Sequence, residues 1–440
     1  MLGNGVYGRS KYFDVFCYIA LALFTPGSAD GATESNEIVT LESAAREAVG
    51  WHPSIVEAIG RLNARAEQIE VAEAGYLPQI SGGIGSSYDN TMRTRWRPRA
   101  NISASQMLYD FGKVSSSVAI AEAGTKIGRA QLLLAVDGLI RDTSYAMIEI
   151  QRTAALHQVA LDQLESISSI NELVDHRYRR GAATRSDALQ AQARVQAAEV
   201  AIQEIEAEQQ RWKSNLAHLL GRQIAPEISS DIPDWLLASC ARGEPRWANI
   251  PAIMQVKAQR DQALAELDES KAFGLPTVSL GAGAATDIDR PFARRTDYNF
   301  GINVSSNLYN GGGNRARTRS ATFALGAADA AEASVRNEVS RLLAEAQRQV
   351  ASLTDALQTL DARQESMRET GMLYRRQYLD MGTRTLVDLL NAEQELHQAR
   401  FDLVNTRHDI RRLQVDCLFN SGAEREAFGL SGTMVRGVEL

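Results

Sequence analysis

Proline is missing from two long spans of this chain. All ten prolines lie either at or before residue 98 or between 226 and 291, so none falls within 99–225 or after 291. A helix interior tolerates proline at a cost of about 3 kcal/mol or more, so both spans are free to run as very long helices. Aromatic residues make up only 6% of the chain, which argues against several compact cores built on large rings. There is no basic excess either. The formal charge of -7 leaves no electrostatic footprint for nucleic acid. The hydrophobic fraction of 44% is ordinary and excludes wholesale disorder or a collagen-like repeat. At roughly 100–200 residues per domain, 440 residues imply two to four domains or one large repeat.

Long apolar runs are absent too. The longest is Val15–Phe24, preceded by Arg9 and Lys11 and followed by the small residues Gly27, Ser28 and Ala29. It is far shorter than the ~20 residues of a spanning helix. It reads as a secretory signal over residues 1–29, with an N-terminal anchor as the alternative. A chain exported in this way is either a soluble protein or a β-barrel membrane protein. Cysteine is scarce, at positions 17, 240 and 417. The six histidines, at 52, 157, 176, 218, 397 and 408, are scattered, so no metal site is expected.

What is present is a duplication. His52-Pro53-Ser54-Ile55 recurs as Ile250-Pro251-Ala252-Ile253, 198 positions on. Gly75-Tyr76-Leu77-Pro78 recurs as Phe273-Gly274-Leu275-Pro276 at the same spacing. Leu108-Tyr109-Asp110-Phe111-Gly112 recurs as Leu308-Tyr309-Asn310-Gly311-Gly312, 200 on, and Gly181 and Asp187 recur as Gly382 and Asp388, 201 on. Four anchors in one order mean a tandem repeat of about 200 residues. Each copy runs as a short helix, a Leu-Pro, two strand-like segments, a long proline-free helix, a glycine turn and a second helix.

The strand segments alternate. Tyr298, Phe300, Ile302 and Val304 share one face, with Asn299, Gly301, Asn303 and Ser305 on the other. Ile102, Ala104 and Leu108 do the same, although Gln106 breaks the apolar set. Val278, Leu280, Ala282 and Ala284 alternate clearly; Ile80, Gly82 and Ile84 do so weakly. This period fits a half-buried strand of an ordinary sheet. It equally fits a membrane strand with lipid outside and water inside. The long helices, near 70 residues or about 100 Å, carry Leu132, Leu133, Val136 and Ile140 at helical spacing among many Gln, Glu, Arg and Ala. They suit an extended coiled coil or a wall between water and water.

With the duplication, the Leu-Pro strand starts, Leu308–Gly312 and both hairpins, the sequence resembles the TolC family of outer-membrane channels over roughly residues 38–422. Its most specific stretch is Gly382-Thr383-Arg384-Thr385-Leu386-Val387-Asp388. The resemblance implies an α+β membrane protein built as a tandem-duplicated helix–strand–strand–long helix–helix repeat. It implies a homotrimeric 12-stranded outer-membrane β-barrel continued by a long periplasmic α-helical barrel. Four strands cannot close a barrel, and open edges in lipid would leave backbone groups unpaired, so membrane strands here require oligomerisation.

The expected organisation follows. A signal peptide over 1–29 precedes a first repeat over 38–222, with strands near 78–90 and 99–109, a long helix near 112–180 and a tip hairpin at 181–187. A linker over 223–248 leads to a second repeat over 249–422. Its strands lie near 276–287 and 297–309, its long helix near 313–381 and its tip hairpin at 382–388. A C-terminal tail occupies 423–440.

The resemblance also implies roles. Gly181, Ala182, Thr184, Gly382, Thr383 and Thr385 fall at hairpin tips that meet a periplasmic adaptor, or membrane fusion protein. Asp388 matches a carboxylate ring of the periplasmic gate. Asn391 stands where the family's best-known member has a second Asp, which implies a less negative constriction. Arg384 and Asp187 match residues that latch the entrance closed. A carboxylate near a helix N-terminus, favoured by the macrodipole, is the simpler reading of both Asp187 and Asp388. Cys240 and Cys417 would lie near the tunnel's equator, as a disulfide staple or as two free thiols.

The function implied is passive export in the outer membrane of a Gram-negative bacterium. The partners implied are outer-membrane lipid, an adaptor and an inner-membrane transporter of the ABC or resistance-nodulation-division (RND) type. Asn307–Gly312 resembles the adhesin-transport branch, which leans the cargo towards a type I secreted protein; small-molecule efflux is the alternative. A periplasmic coiled-coil scaffold is the reading of another class. Gly311-Gly312-Gly313 lacks the Gly-Lys-Ser/Thr ending of a phosphate loop, and Gly281-Ala282-Gly283 sits on a strand. Neither an enzyme nor a cofactor is expected.

Overall fold

The computed structural model describes residues 38–87, 97–241, 243–288 and 296–440. The expected signal peptide lies outside them, as do residues 88–90 at the end of the first expected strand. Two short helices, α1 (Leu41–Trp51) and α2 (Pro53–Glu73), lead into the antiparallel strands β1 (Gln79–Ser87) and β2 (Arg97–Tyr109). The long helix α3 (Lys113–Arg179) and its return α4 (Arg185–Leu220) complete the first half. A linker carrying α5 (Asp234–Leu237) leads to α6 (Pro251–Ala272), β3 (Thr277–Asp287), β4 (Asp297–Ser305), α7 (Gly313–Arg376) and α8 (Leu386–Ser421).

Each repeated motif is a start or stop signal. Pro53 and Pro251 occupy the first turns of α2 and α6, where the missing N–H costs nothing. Pro78 and Pro276 hold the preceding residue extended and deliver the chain into β1 and β3. Gly112 and Gly312 cap α3 and α7 at φ of 96° and 87°, a conformation that favours glycine. Asp110 then accepts from Gly112 N and Val114 N; Asn310 accepts from Asn314 N in the second copy.

The four long strands form one sheet in the order β1-β2-β3-β4. In the register Ser81 faces Ser103, Ser103 faces Gly283, and Gly283 faces Asn299, so all the polar positions share one face. The apolar face is left open, with Ile84, Tyr298, Phe300 and Ile302 at least 70% exposed. Gln106, which interrupts the apolar set, donates to the carbonyls of Tyr76 and Met107 at the helix-side rim. β4 ends at Ser305 rather than near 309, because its partner β3 begins at Thr277, just after Pro276. β2 runs on to Tyr109 through an irregularity at Met107.

The main core lies at mid-height, where α1, α2 and the middle of α3 meet α4 and the end of α8. The segment after Gly422, expected as a tail, is part of it. A short helix α9 (Glu424–Ala427) and a β5–β6 hairpin (Met434–Val435 and Val438–Glu439) bury Phe428 and Leu430. Trp235 of the linker stacks edge-on against Phe428 and donates to Glu42. Arg425 clamps Asp137 of α3 with contacts of 2.6 and 2.7 Å. Cys240 and Cys417 are joined as a disulfide with Cα atoms 5.3 Å apart, tying the linker to α8 beside Leu343 and Ala346 of α7.

The two halves are unequally covered. α3 packs against α2, α4, α6 and α8. Over its 64 residues α7 buries only Val339, Leu343, Ala346 and Gly371, and Phe323 is 77% exposed. A helix about 95 Å long with so little cover within its own chain has a surface fit for neighbouring copies.

Candidate functional site: the paired helix hairpins

The helices end together in two hairpins. At the first, Gly181 adopts φ 73°, and its N–H and that of Ala182 satisfy the carbonyls of Tyr178 and Arg177, closing α3 in the way glycine permits. Thr184 then caps α4. Its hydroxyl accepts from Asp187 N at 3.2 Å, and Asp187 accepts from Thr184 N at 3.0 Å, a reciprocal capping box. α4 therefore begins at Arg185, inside the expected tip of 181–187.

The second hairpin repeats the box with Thr385 and Asp388, so α8 begins at Leu386, inside the expected tip of 382–388. Asp388 accepts from Thr385 N at 3.2 Å and from the Thr385 hydroxyl at 2.9 Å. These bonds, with Arg384 nearby, hold its carboxyl below the usual range. Asp388 is thus a charged, partly exposed carboxylate in the first turn of α8, at the tip of the second hairpin. Asn391 lies exposed one turn further along α8.

The hairpins differ in one respect. The last five residues before Gly382, Gln377–Met381, form a π-turn. In the first hairpin Tyr178 stands three residues before its glycine; in the second Tyr378 stands four before. A π-turn is how a helix absorbs one extra residue. It turns Tyr378 inwards, where it is 7% exposed against 40% for Tyr178. Tyr378 packs with Ile170, Val174, Ala191, Leu386, Leu389 and Leu390 in a small core shared by both hairpins. Arg177 of the first hairpin lies over the Tyr378 ring, 4.9 Å from its centre, and donates to its carbonyl. Burial raises the Tyr378 phenol, with Arg177 opposing and Asp187 adding to the shift.

Arg384 folds back on its own hairpin. Its guanidinium lies 4.4 Å from the Tyr374 ring centre, donates to Gln377 and comes within 4.0 Å of Asp388. Among the described residues of one chain, Arg384 and Asp187 are not paired with each other. Arg177, Tyr374 and Tyr378 are the tip residues that sequence reasoning missed. Their signal was the drift of the repeat offset from 200 at Tyr378 to 201 at Gly382.

An amphipathic, barrel-compatible sheet continued by helices about 100 Å long that end in paired hairpins fits a membrane duct with a helical extension. The chain belongs to the outer membrane efflux protein family, whose profile matches residues 44–222 and 247–416. It is similar to the outer membrane efflux protein BepC of Brucella suis, at 25% identity over 366 residues, covering 78% of this chain and 76% of that one. It is also similar to the alkaline protease secretion protein AprF of Pseudomonas aeruginosa, at 24% identity, covering 85% and 82%. The crystal structure of the outer membrane protein VceC from Vibrio cholerae shares its fold with a TM-score of 0.77 at 19% identity, covering 87% of this chain and 96% of that one. The TolC-family resemblance, the outer-membrane location and the trimeric barrel-and-tunnel fold class therefore stand, and the family is non-enzymatic.

Proposed function

We propose that this protein is the outer-membrane exit duct of a tripartite export machine serving type I protein secretion. It is a passive channel, closed at its periplasmic end and opened when an adaptor and an inner-membrane ABC transporter engage the hairpins. The observation that carries the reading is the pair of capped hairpins, joined through Tyr378 and Arg177, with the Asp388 carboxylate at their rim. In it Asp388 and Asn391 line the gate, Arg384 and Asp187 hold the closed state, and the tips at Gly181–Thr184 and Gly382–Thr385 receive the adaptor. The protein-secretion cargo is supported by the likeness to AprF, named for secretion of an alkaline protease. The likeness to BepC, named an efflux protein, favours an RND-type small-molecule pump as the second reading.

The test is a photocrosslinker at Thr383 in cells, together with a deletion strain. On the first reading the crosslink captures an adaptor encoded beside an ABC transporter, and deletion removes a large protein from the culture medium. An unchanged secretome with raised sensitivity to dyes and detergents would transfer the duct to the second reading.

A further inference from the structure

We propose that the outer mouth of the barrel carries its own charge filter, formed by Arg99, Asp287 and Asp297, distinct from the periplasmic gate. The proposal rests on the channel reading of the fold. In a membrane barrel the polar strand face turns to the water-filled lumen and the apolar face to lipid. All three residues lie on the polar face. Arg99 of β2 stands opposite Asp287 of β3, and Asp297 opens β4 opposite Ala285. They sit at the end of the sheet away from the helices, next to the β1–β2 and β3–β4 connections.

Arg99 bridges both acids. Its Nε lies 3.3 Å from Asp287 Oδ1, and its Nη2 donates to Asp297 Oδ2 at 2.5 Å. Asp297 is open to water at 72% exposure, Arg99 is partly exposed at 38%, and Asp287 is the most covered at 21%. Among the described side chains of the polar face, these are the only charged ones. Towards the helices that face carries Asn101, Ser103, Gly283, Asn299 and Gly301. The Asn101 and Asn299 amides lie close against the facing glycines, Gly83 and Gly283, where a Cβ would crowd them. Among the described side chains the wall there is neutral, and the bridged triplet is where that face carries charge. Three copies per trimer make a collar. Arg99 offsets part of its negative charge, so that anionic segments of a cargo can leave.

The test is zero-current potential of the purified trimer in planar bilayers under a salt gradient. An Asp388→Asn background removes the entrance carboxylate so that the mouth is read alone. Arg99→Gln raises the cation-to-anion permeability ratio about threefold or more at 0.1 M salt, Asp297→Asn lowers it, and Arg99→Lys leaves it near the parent value. The shifts shrink at 1 M salt, where the screening length falls from about 10 Å to about 3 Å. Conducting Arg99→Gln and Asp297→Asn trimers with unchanged ratios overturn the filter. So does an Arg99→Lys shift as large as that of Arg99→Gln, which would reduce the triplet to a strand tie. A correctly assembled trimer that passes no current even with the latch charges at Arg384 and Asp187 reversed removes the channel reading, and the filter with it.

Discussion

Asp388 has two duties that can be separated at the residue scale. It closes the capping box of α8 with Thr385, and in the proposed gate its carboxylate also meets the passing ions. Loss of an N-cap hydroxyl costs about 0.5–2 kcal/mol. Thr385→Ala should therefore weaken the second hairpin, seen as faster hydrogen exchange at the start of α8, while cation preference is retained. Asp388→Asn keeps a side-chain acceptor and loses the charge. It should lower cation selectivity and block by multivalent cations in bilayer recordings, with little change in exchange. If the two variants behave alike, the carboxylate acts through the helix cap and not on ions. Arg384 rests on the Tyr374 ring and near its own Asp388 within one chain, so the proposed latch would have to act through neighbouring copies. Charge reversal at Arg384 or Asp187 should raise single-channel conductance, and an unchanged closed level in both would dismiss the latch.

At the element scale the π-turn makes the two hairpins unlike. Deleting Asp380 gives the second hairpin the Tyr-to-Gly spacing of the first and rotates Tyr378 out of the shared core. We expect faster hydrogen exchange in both hairpins at once, because Arg177 loses its ring and carbonyl partners; protection lost in the second hairpin alone would mean the core between them is not cooperative. How far such elements were legible follows from their physics. Proline and glycine act within a few residues, so most starts and stops and the duplication could be read directly, whereas the Thr-x-x-Asp boxes start α4 and α8 inside the tips expected as turns. The side of the helix on which Tyr378 lies depends on one inserted residue and was visible only as a drift in offset. The folding of 423–440 was not legible, because Phe428 and Leu430 carry no periodicity and are placed by distant Trp235 and the main core. The disulfide stood as one of two open alternatives. It closes a separation of 177 residues, and removing a natural disulfide costs about 2–5 kcal/mol. Cys240→Ser with Cys417→Ser should lower the unfolding midpoint, as should reductant on the wild type, whereas reductant should do nothing more to the double variant.

For the whole molecule, stability has to survive an environment whose pH follows the medium, and buried charge sets that response. Glu424 is fully enclosed, with both carboxylate oxygens lacking a hydrogen-bond partner, and burial and Asp137 push its carboxyl well above the usual range. Asp137 is raised to about 6, by burial first, against the pull of Arg425. A carboxyl raised in the folded state gives stability that is complete below its unfolded value and is lost as pH climbs through the folded one. Two histidines act oppositely. Burial lowers His397 and His408 of α8 from 6.5 to about 4. Their neutral rings favour the fold fully above 6.5, and that contribution is lost as pH falls towards 4. His397 is the cleaner probe. It is 2% exposed and neither ring nitrogen has a hydrogen-bond partner. Its Nε2 is 3.8 Å from Glu393, without an ion pair because burial keeps the ring uncharged. Arg400 reinforces that shift and Asp162 opposes it. At pH 5 this ring withholds up to about 2 kcal/mol. His397→Leu should leave trimer unfolding at pH 7 within about 1 kcal/mol of wild type and make it more resistant at pH 5. Equal acid sensitivity in the two proteins would place the acid response in groups other than His397, with His408 the next ring to replace.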